Sequence, residues 1–325
     1  MSDTASSRRA LLAAALLLAG TAAQAQTQLT LGHPLPLASH YGAGAEAFKA
    51  TLERATNGRY RVTIQRNDNE REMIESLQIG TLDLCITSTG PVGNFVPEVK
   101  VVDVPFLFRD YAHARGVLDS QIGADLLAKF PQRNLIAFAW LENGFRNLTN
   151  SRREVTTPAD VRGLKIRTME NQVHMQAFRA LGALPTPMAF SELVPALQQG
   201  TVDGQENPIP VIVANNLNQV QKFLSLTRHV YSPAMLLGSP ATLGRLSDAD
   251  KAAFAEAAKA AQAANRDKVT QDESTGVEEL RRRGMSVDSN VNTAAFQEAL
   301  APAYAQYEKE LDGALLRRIR DWKPN

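Results

Sequence analysis

The chain has one cysteine, Cys85, so no internal disulfide is open to it. Cys85 ends an apolar strand pattern, which suits a buried, inert thiol. The sequence also lacks an apolar run that could cross a bilayer: Ala10–Ala19 is about half the roughly 20 residues needed. It lacks an excess of either charge, with 35 Lys and Arg against 34 Asp and Glu. Without residues 1–25, which carry Arg8, Arg9 and Asp3, the balance is 35 − 2 = 33 basic to 34 − 1 = 33 acidic. No nucleic-acid partner is expected, since that would favour a basic stripe. The five histidines (33, 40, 113, 174 and 229) include no pair at a metal-ligand spacing. There is no Walker A loop, no G-x-S-x-G elbow and no G-x-G-x-x-G after a strand. Gly42-Ala43-Gly44 is the nearest approach, and it falls inside a helix, where it reads as close helix packing. No metal, no cofactor and no catalytic residue is expected, and these absences weigh against an enzyme.

What is present begins with an export signal. Arg8 and Arg9 precede the apolar run, and Ala23-Gln24-Ala25 fits the A-x-A pattern of a signal-peptidase site. Residues 1–25 are therefore expected to be removed. Ser7-Arg8-Arg9-Ala10-Leu11-Leu12 partly resembles a twin-arginine signal, and the export route stays open between the two systems. The remaining 300 residues suffice for two domains, each with its own core.

Along those residues strands and helices alternate, the mark of an α/β fold. Strands are expected at 29–31, 60–65, 82–86, 135–140, 164–167, 202–204, 223–226 and 234–237. Ser39 can cap a helix running to about Ala55, and Glu70–Ile79 is helical up to the stop at Gly80. Further helices carry Ala177 and Leu181, then Leu193 and Leu197. Residues 248–283 read as one long helix, with a kink possible near Gly276. No linker or repeat separates the domains, which suggests domains that share crossing segments.

Three segments put polar residues where packing does not call for them. Gly163-Leu164-Lys165-Ile166-Arg167 is an apolar strand ending in arginine, followed by Thr168-Met169-Glu170-Asn171 at a helix entry. Arginine presents a planar fork of donors that matches a carboxylate. At the carboxyl end of a strand it would face the crevice where open α/β sheets bind ligands. The bland alternative is a solvated surface charge. Gly144-Phe145-Arg146-Asn147-Leu148-Thr149 sets a second arginine just after an apolar strand. Val202-Asp203-Gly204-Gln205-Glu206-Asn207-Pro208 is polar after a third, and Asn207 offers both a donor and an acceptor.

Taken together with Pro185-Thr186-Pro187-Met188-Ala189-Phe190-Ser191-Glu192 and Ala196-Leu197-Gln198-Gln199-Gly200, these segments resemble the signature of TRAP-type extracytoplasmic solute-binding proteins. The resemblance covers the mature chain in order, with further matches at 70–74, 80–83, 105–106 and 219–222. It implies a two-lobed, hinge-linked periplasmic binding protein with discontinuous domains and a long helix spanning both. The expected bounds are 26–143 plus about 233–272 for lobe I, and 144–232 plus about 273–325 for lobe II. The family's carboxylate-pairing arginine falls on Arg167, its second arginine on Arg146 and its asparagine on Asn207. The cleft aromatic falls on Phe190, which reads equally well as a core residue. In the more variable first lobe, an acidic contact aligns with Glu70, and Ser88 stands where sialic-acid-binding members carry an acid. His33, His40, Glu70, Arg71 and Ser88 would suit a ligand with several hydroxyls, with Thr89 and Glu170 beside them.

The function implied is that of a monomeric periplasmic receptor handing a small carboxylate to the small and large TRAP membrane subunits. The pattern looks most like members that bind sugar acids such as uronates. Alternatives are a receptor for a C4-dicarboxylate, a periplasmic enzyme acting on such acids, and a sensor subunit.

Overall fold

The computed structural model describes residues 26–324. The export signal and its cleavage site lie outside the described residues. Among the described residues are nine strands: β1 (Thr27–His33), β2 (Tyr60–Arg66), β3 (Leu84–Ser88), β4 (Ile136–Asn150), β5 (Lys165–Thr168), β6 (Leu184–Pro187), β7 (Gly204–Pro208), β8 (Phe223–Gly238) and β9 (Ser286–Asp288). The α-helices of six residues or more are α1 (His40–Ala55), α2 (Glu70–Ile79), α3 (Tyr111–Asp119), α4 (Gln121–Leu127), α5 (Gln172–Ala180), α6 (Phe190–Gln198), α7 (Ile209–Ala214), α8 (Asp248–Arg282), α9 (Thr293–Ala299), α10 (Ala301–Glu310) and α11 (Gly313–Arg320).

The strands form one sheet in the order β2-β1-β3-β8-β4-β7-β5-β6, with β9 beside β8. Its organisation follows from two long strands. β4 and β8 run antiparallel from the pair Ile136/Gly238 to the pair Asn150/Phe223. The parallel trio β2-β1-β3 attaches to the Ala234–Gly238 end of β8. The trio β7-β5-β6 attaches to the Arg146–Asn150 end of β4. Each trio with its helices makes one half of the molecule, and the β4–β8 ribbon belongs to both. Register shifts interrupt the ribbon at Glu142/Gly144 and Arg146/Leu148. Gly144 sits there at φ +124, a conformation side chains rarely adopt. Bulges of this kind bend and twist a strand locally.

One expected strand runs on through the segment read as following it, and two expected strands are one. Leu135–Trp140 and the Arg146 segment are both β4, so Arg146 lies within a strand rather than after one. Phe223–Leu226 and Ala234–Leu237 are both β8. The apolar pattern breaks at Glu142-Asn143-Gly144 and Ser232-Pro233 because buried polar partners satisfy the chain there. Glu142 takes a bidentate ion pair from Arg115 at 2.5 and 3.1 Å and a bond from the Tyr231 hydroxyl at 2.8 Å. β3 lies two residues later than expected, and the polar segment after Val202-Asp203 is itself β7.

The long helix is present as α8, continuous from Asp248 to Arg282. It packs on α1 in the first half and on α7 and β9 in the second. Gly44 lets α1 approach it closely, since a Cβ there would lie 3.3 Å from Ala261 O and from Asn265 Cβ. Gly276 marks a second close approach rather than a break, with its Cβ position 2.4 Å from Ile209 Cγ2. Fully buried Asn265 bonds to both backbone groups of Glu142 and to His40 O, which pins α8 to the ribbon at the crossing. The Ser39 and Gly80 signals act as read: Ser39 Oγ accepts from Gly42 N, and Gly80 ends α2 at φ +80. Among the described residues no helix is long and apolar enough to cross a membrane.

Candidate functional site

A cavity lies between the two halves, beside the ribbon. Its walls bring together Arg167, Phe190 and Asn207 from the second half with Glu70 and Ser88 from the first. Leu35, Tyr41, Asn143, Met169 and Val211 complete most of the lining.

Arg167 reaches it from the carboxyl end of β5, a short parallel strand flanked by β7 and β6. Its side chain is 2 % exposed. Nε and Nη2 donate to Met188 O at 3.1 and 2.7 Å, and the guanidinium lies 5.9 Å from the Phe190 ring centroid. Burial, aided by the Arg146 charge, lowers its pKa to about 10, so it remains a cation at neutral pH. Among the described residues it has no ion-pair partner. A buried cation without an anion is costly and is relieved when one arrives.

Arg146 is placed differently. It is fully buried and paired with Glu206 through Nε–Oε2 at 2.5 Å and Nη2–Oε1 at 2.8 Å. Nη2 also donates to Glu206 O and, at 3.3 Å, to Asn207 Oδ1. The charge of Arg146 holds the Glu206 carboxyl far below its ordinary range against the opposing effect of burial. Nη1 alone is buried without a partner. Asn207 is oriented from both sides, because its Nδ2 donates to Gln205 Oε1 at 2.5 Å.

The opposite wall is anionic. Glu70 opens α2 behind the Asn69 cap, and its Oε1 accepts from Ser88 N (2.7 Å), Ser88 Oγ (2.8 Å) and Thr87 Oγ1 (3.0 Å). With Oε1 so occupied, Oε2 is the acceptor left for a ligand hydroxyl. Asn143 is held by His40 Nε2 at 3.3 Å, and the Tyr41 hydroxyl is buried without a partner.

The other expected residues lie around this cavity rather than on it. His40 acts on it only through Asn143. His33 is 1 % exposed with neither ring nitrogen bonded, and burial lowers its pKa to about 4. Thr89 donates to buried Asp103 at 2.6 Å. Arg71 and Glu170 meet at 3.8 Å at the mouth, across the two halves. Asn94 Nδ2 to Glu170 O at 2.6 Å and Asn171 Nδ2 to Asp103 Oδ2 at 2.8 Å also join the halves. Tyr41, Asn143 and Met169 were not singled out in the sequence. The available signal for Asn143 was a polar residue inside a long apolar strand.

The architecture and the chemistry both have known counterparts. Residues 31–310 match the model of the bacterial extracellular solute-binding proteins of family 7. A solute-binding protein of Verminephrobacter eiseniae is 49% identical over 301 residues, 92% of this chain and 90% of its own length. A TRAP periplasmic solute-binding protein from Bordetella bronchiseptica, solved with density assigned to pantoate, is 56% identical with a TM-score of 0.90. The match covers 92% of this chain and all of that one. A second, from Polaromonas sp. JS666 bound to D-erythronate, is 52% identical with a TM-score of 0.91 over the same shares.

Proposed function

This chain belongs to the bacterial extracellular solute-binding proteins of family 7, the TRAP-type receptors, and from that premise we propose which solute it takes and how. It is a solute-binding receptor, and the ligand we assign is a small hydroxylated monocarboxylate of the sugar-acid class. The carrying observation is Arg167: a buried cation on a cavity wall with no carboxylate of its own. The ligand carboxylate meets its free guanidinium edge, with Asn207 alongside and the unpartnered Nη1 of Arg146 behind. The ligand hydroxyls face Glu70, Ser88, Tyr41 and Asn143.

A C4-dicarboxylate fits less well. Its second carboxylate would lie near Glu70, and like charges at short range repel. Arg146 cannot neutralise it while paired with Glu206. The short hydroxy acids bound by the two similar structures support the same class. Binding closes the halves about the β4–β8 crossing, with lobe I taken as 26–143 plus about 233–272 and lobe II as 144–232 plus about 273–325. The protein would act in the periplasm after loss of residues 1–25, presenting its ligand to the small and large membrane subunits.

Calorimetry of Arg167→Ala tests the assignment. Truncating one partner of a buried ion pair costs roughly 3–5 kcal/mol, about a hundred- to several-thousand-fold in affinity. Equal affinity in variant and wild type would sink the clamp. Recovery of chemically unchanged ligand after long incubation separates receptor from enzyme.

A further inference from the structure

The residues that bind an acid leave open how large that acid is, and one side chain bears on it. Met169 follows β5 directly and extends from the second half into the first. Its Sδ lies 3.4 Å from Ser88 Oγ, whose proton goes to Glu70. A Cβ built on Gly90 would lie 2.5 Å from Met169 Cε and 2.8 Å from Sδ, so the thioether rests on the bare backbone of that glycine. The cavity it bounds offers only ≈ 20 Å³ to the centre of a water-sized sphere. That is room for one or two waters, so an organic ligand is admitted only as the walls or the two halves move.

The polar walls are poorly suited to move. Glu70 is held by three donors, Arg167 by Met188 O, Asn207 by Gln205, and Asn143 by His40. Nor can the backbone at Met169 retreat cheaply while the halves stay together. The next two residues carry the contacts between them: Glu170 with Arg71 and Asn94, and Asn171 with Asp103. The deformable element left is the Met169 side chain, unbranched and able to change rotamer without losing its packing. Leu35, Phe190 and Val211 supply the other apolar lining.

We infer that Met169, seated on Gly90, is a specificity-determining residue that limits the size of the acid and favours compact hydroxy acids over hexuronates. The inference rests on the receptor reading above and narrows its sugar-acid class. Replacing methionine by alanine removes three heavy atoms, Cγ, Sδ and Cε. A hexuronate exceeds a four-carbon aldonate by four.

Titration calorimetry of wild type, Met169→Ala and Gly90→Ala with D-erythronate and D-glucuronate decides the matter. Wild type should bind D-erythronate at least about tenfold more tightly than D-glucuronate. Met169→Ala should narrow or reverse that ratio by about tenfold, chiefly by gaining D-glucuronate. Gly90→Ala tests the wall from the other side. Its added methyl pushes the thioether into the cavity and should weaken D-erythronate about tenfold, with the ligand-free melting temperature little changed. Met169→Leu should keep the wild-type preference. Three results overturn the inference: equal wild-type affinity for both acids, an equal loss of both in Met169→Ala, or unchanged affinities in Gly90→Ala. If wild type binds no hydroxy acid in a broader set of aldonates, uronates and pantoate, the receptor assignment itself fails. A failure of Met169 alone leaves carboxylate binding and the Arg167→Ala loss in place.

Discussion

The two halves of the molecule meet the cavity with opposite charge and with different kinds of support. The second half presents Arg167, fixed by a backbone carbonyl and an aromatic ring, above a buried pair, Arg146–Glu206, that is complete without a ligand. The first half presents Glu70, fixed by the two residues that end β3, with Tyr41 and Asn143 beside it. A carboxylate is common to all organic acids, and their hydroxyl pattern is not. On the proposed reading, the cationic wall recognises the class and the anionic wall distinguishes its members.

The largest expected effect breaks the cationic half from beneath. Glu206→Gln leaves Arg146 as an uncompensated charge in a fully buried place, which should cost roughly 3–5 kcal/mol of stability, read from denaturant unfolding. Replacing both residues by methionine should recover most of that loss, since removing a buried pair together is often neutral. If the single variant is as stable as wild type, Arg146 and Glu206 do not form the foundation of this half.

Acidification comes next and acts on buried groups of both halves. Burial lowers the pKa of His33 to about 4, and those of His40 and His174 to about 3. Unfolded histidine titrates near 6.5. Between pH 6.5 and 4 the unfolded chain therefore binds three more protons at these sites, and stability falls as pH falls. Asp103 opposes this. Burial raises its pKa to about 7, so from there down to the ordinary carboxylate range the folded state binds the extra proton. Two net protons remain down to about pH 6, where the Glu273 carboxyl, raised by burial to about 6, takes up one more in the folded state, so the loss is about 1–3 kcal/mol per pH unit below 6.5. Melting temperatures at stepped pH should show the fall, and Asp103→Asn should steepen it. A flat profile down to pH 5 would contradict the placement of the histidines.

Much of the second half was legible in the sequence, because its chemistry lies in short contiguous runs. Gly163 to Asn171 and Val202 to Pro208 put arginine, asparagine and their supporting strands within a few residues of one another. Helix ends were legible for the same reason: Ser39 and Gly80 act on the neighbouring turn. The ribbon was not. Glu142 and Asn143 look like loop residues until Arg115, Tyr231 and Asn265 supply partners from distant segments. Nor could the sequence show that Arg146 has its own carboxylate in Glu206, 60 residues away. Met169 escaped notice because a methionine beside a motif most often belongs to a core.

Glu70→Gln gives the smallest change and the sharpest test of the contrast between the walls. The variant keeps shape, and its Oε1 can still accept from Ser88 and Thr87. At the cavity it exchanges an acceptor oxygen for a donor nitrogen. A hydroxylated acid should lose a hydrogen bond to a charged group, about 1.5–3 kcal/mol, or roughly ten- to a hundredfold in affinity. A simple acid without hydroxyls binds through Arg167 alone and should be nearly unaffected. A dicarboxylate, relieved of repulsion, should gain. Comparing the three ligands by calorimetry separates the roles, whereas equal losses for all of them would mean that both halves recognise the carboxylate and that the division of labour is wrong.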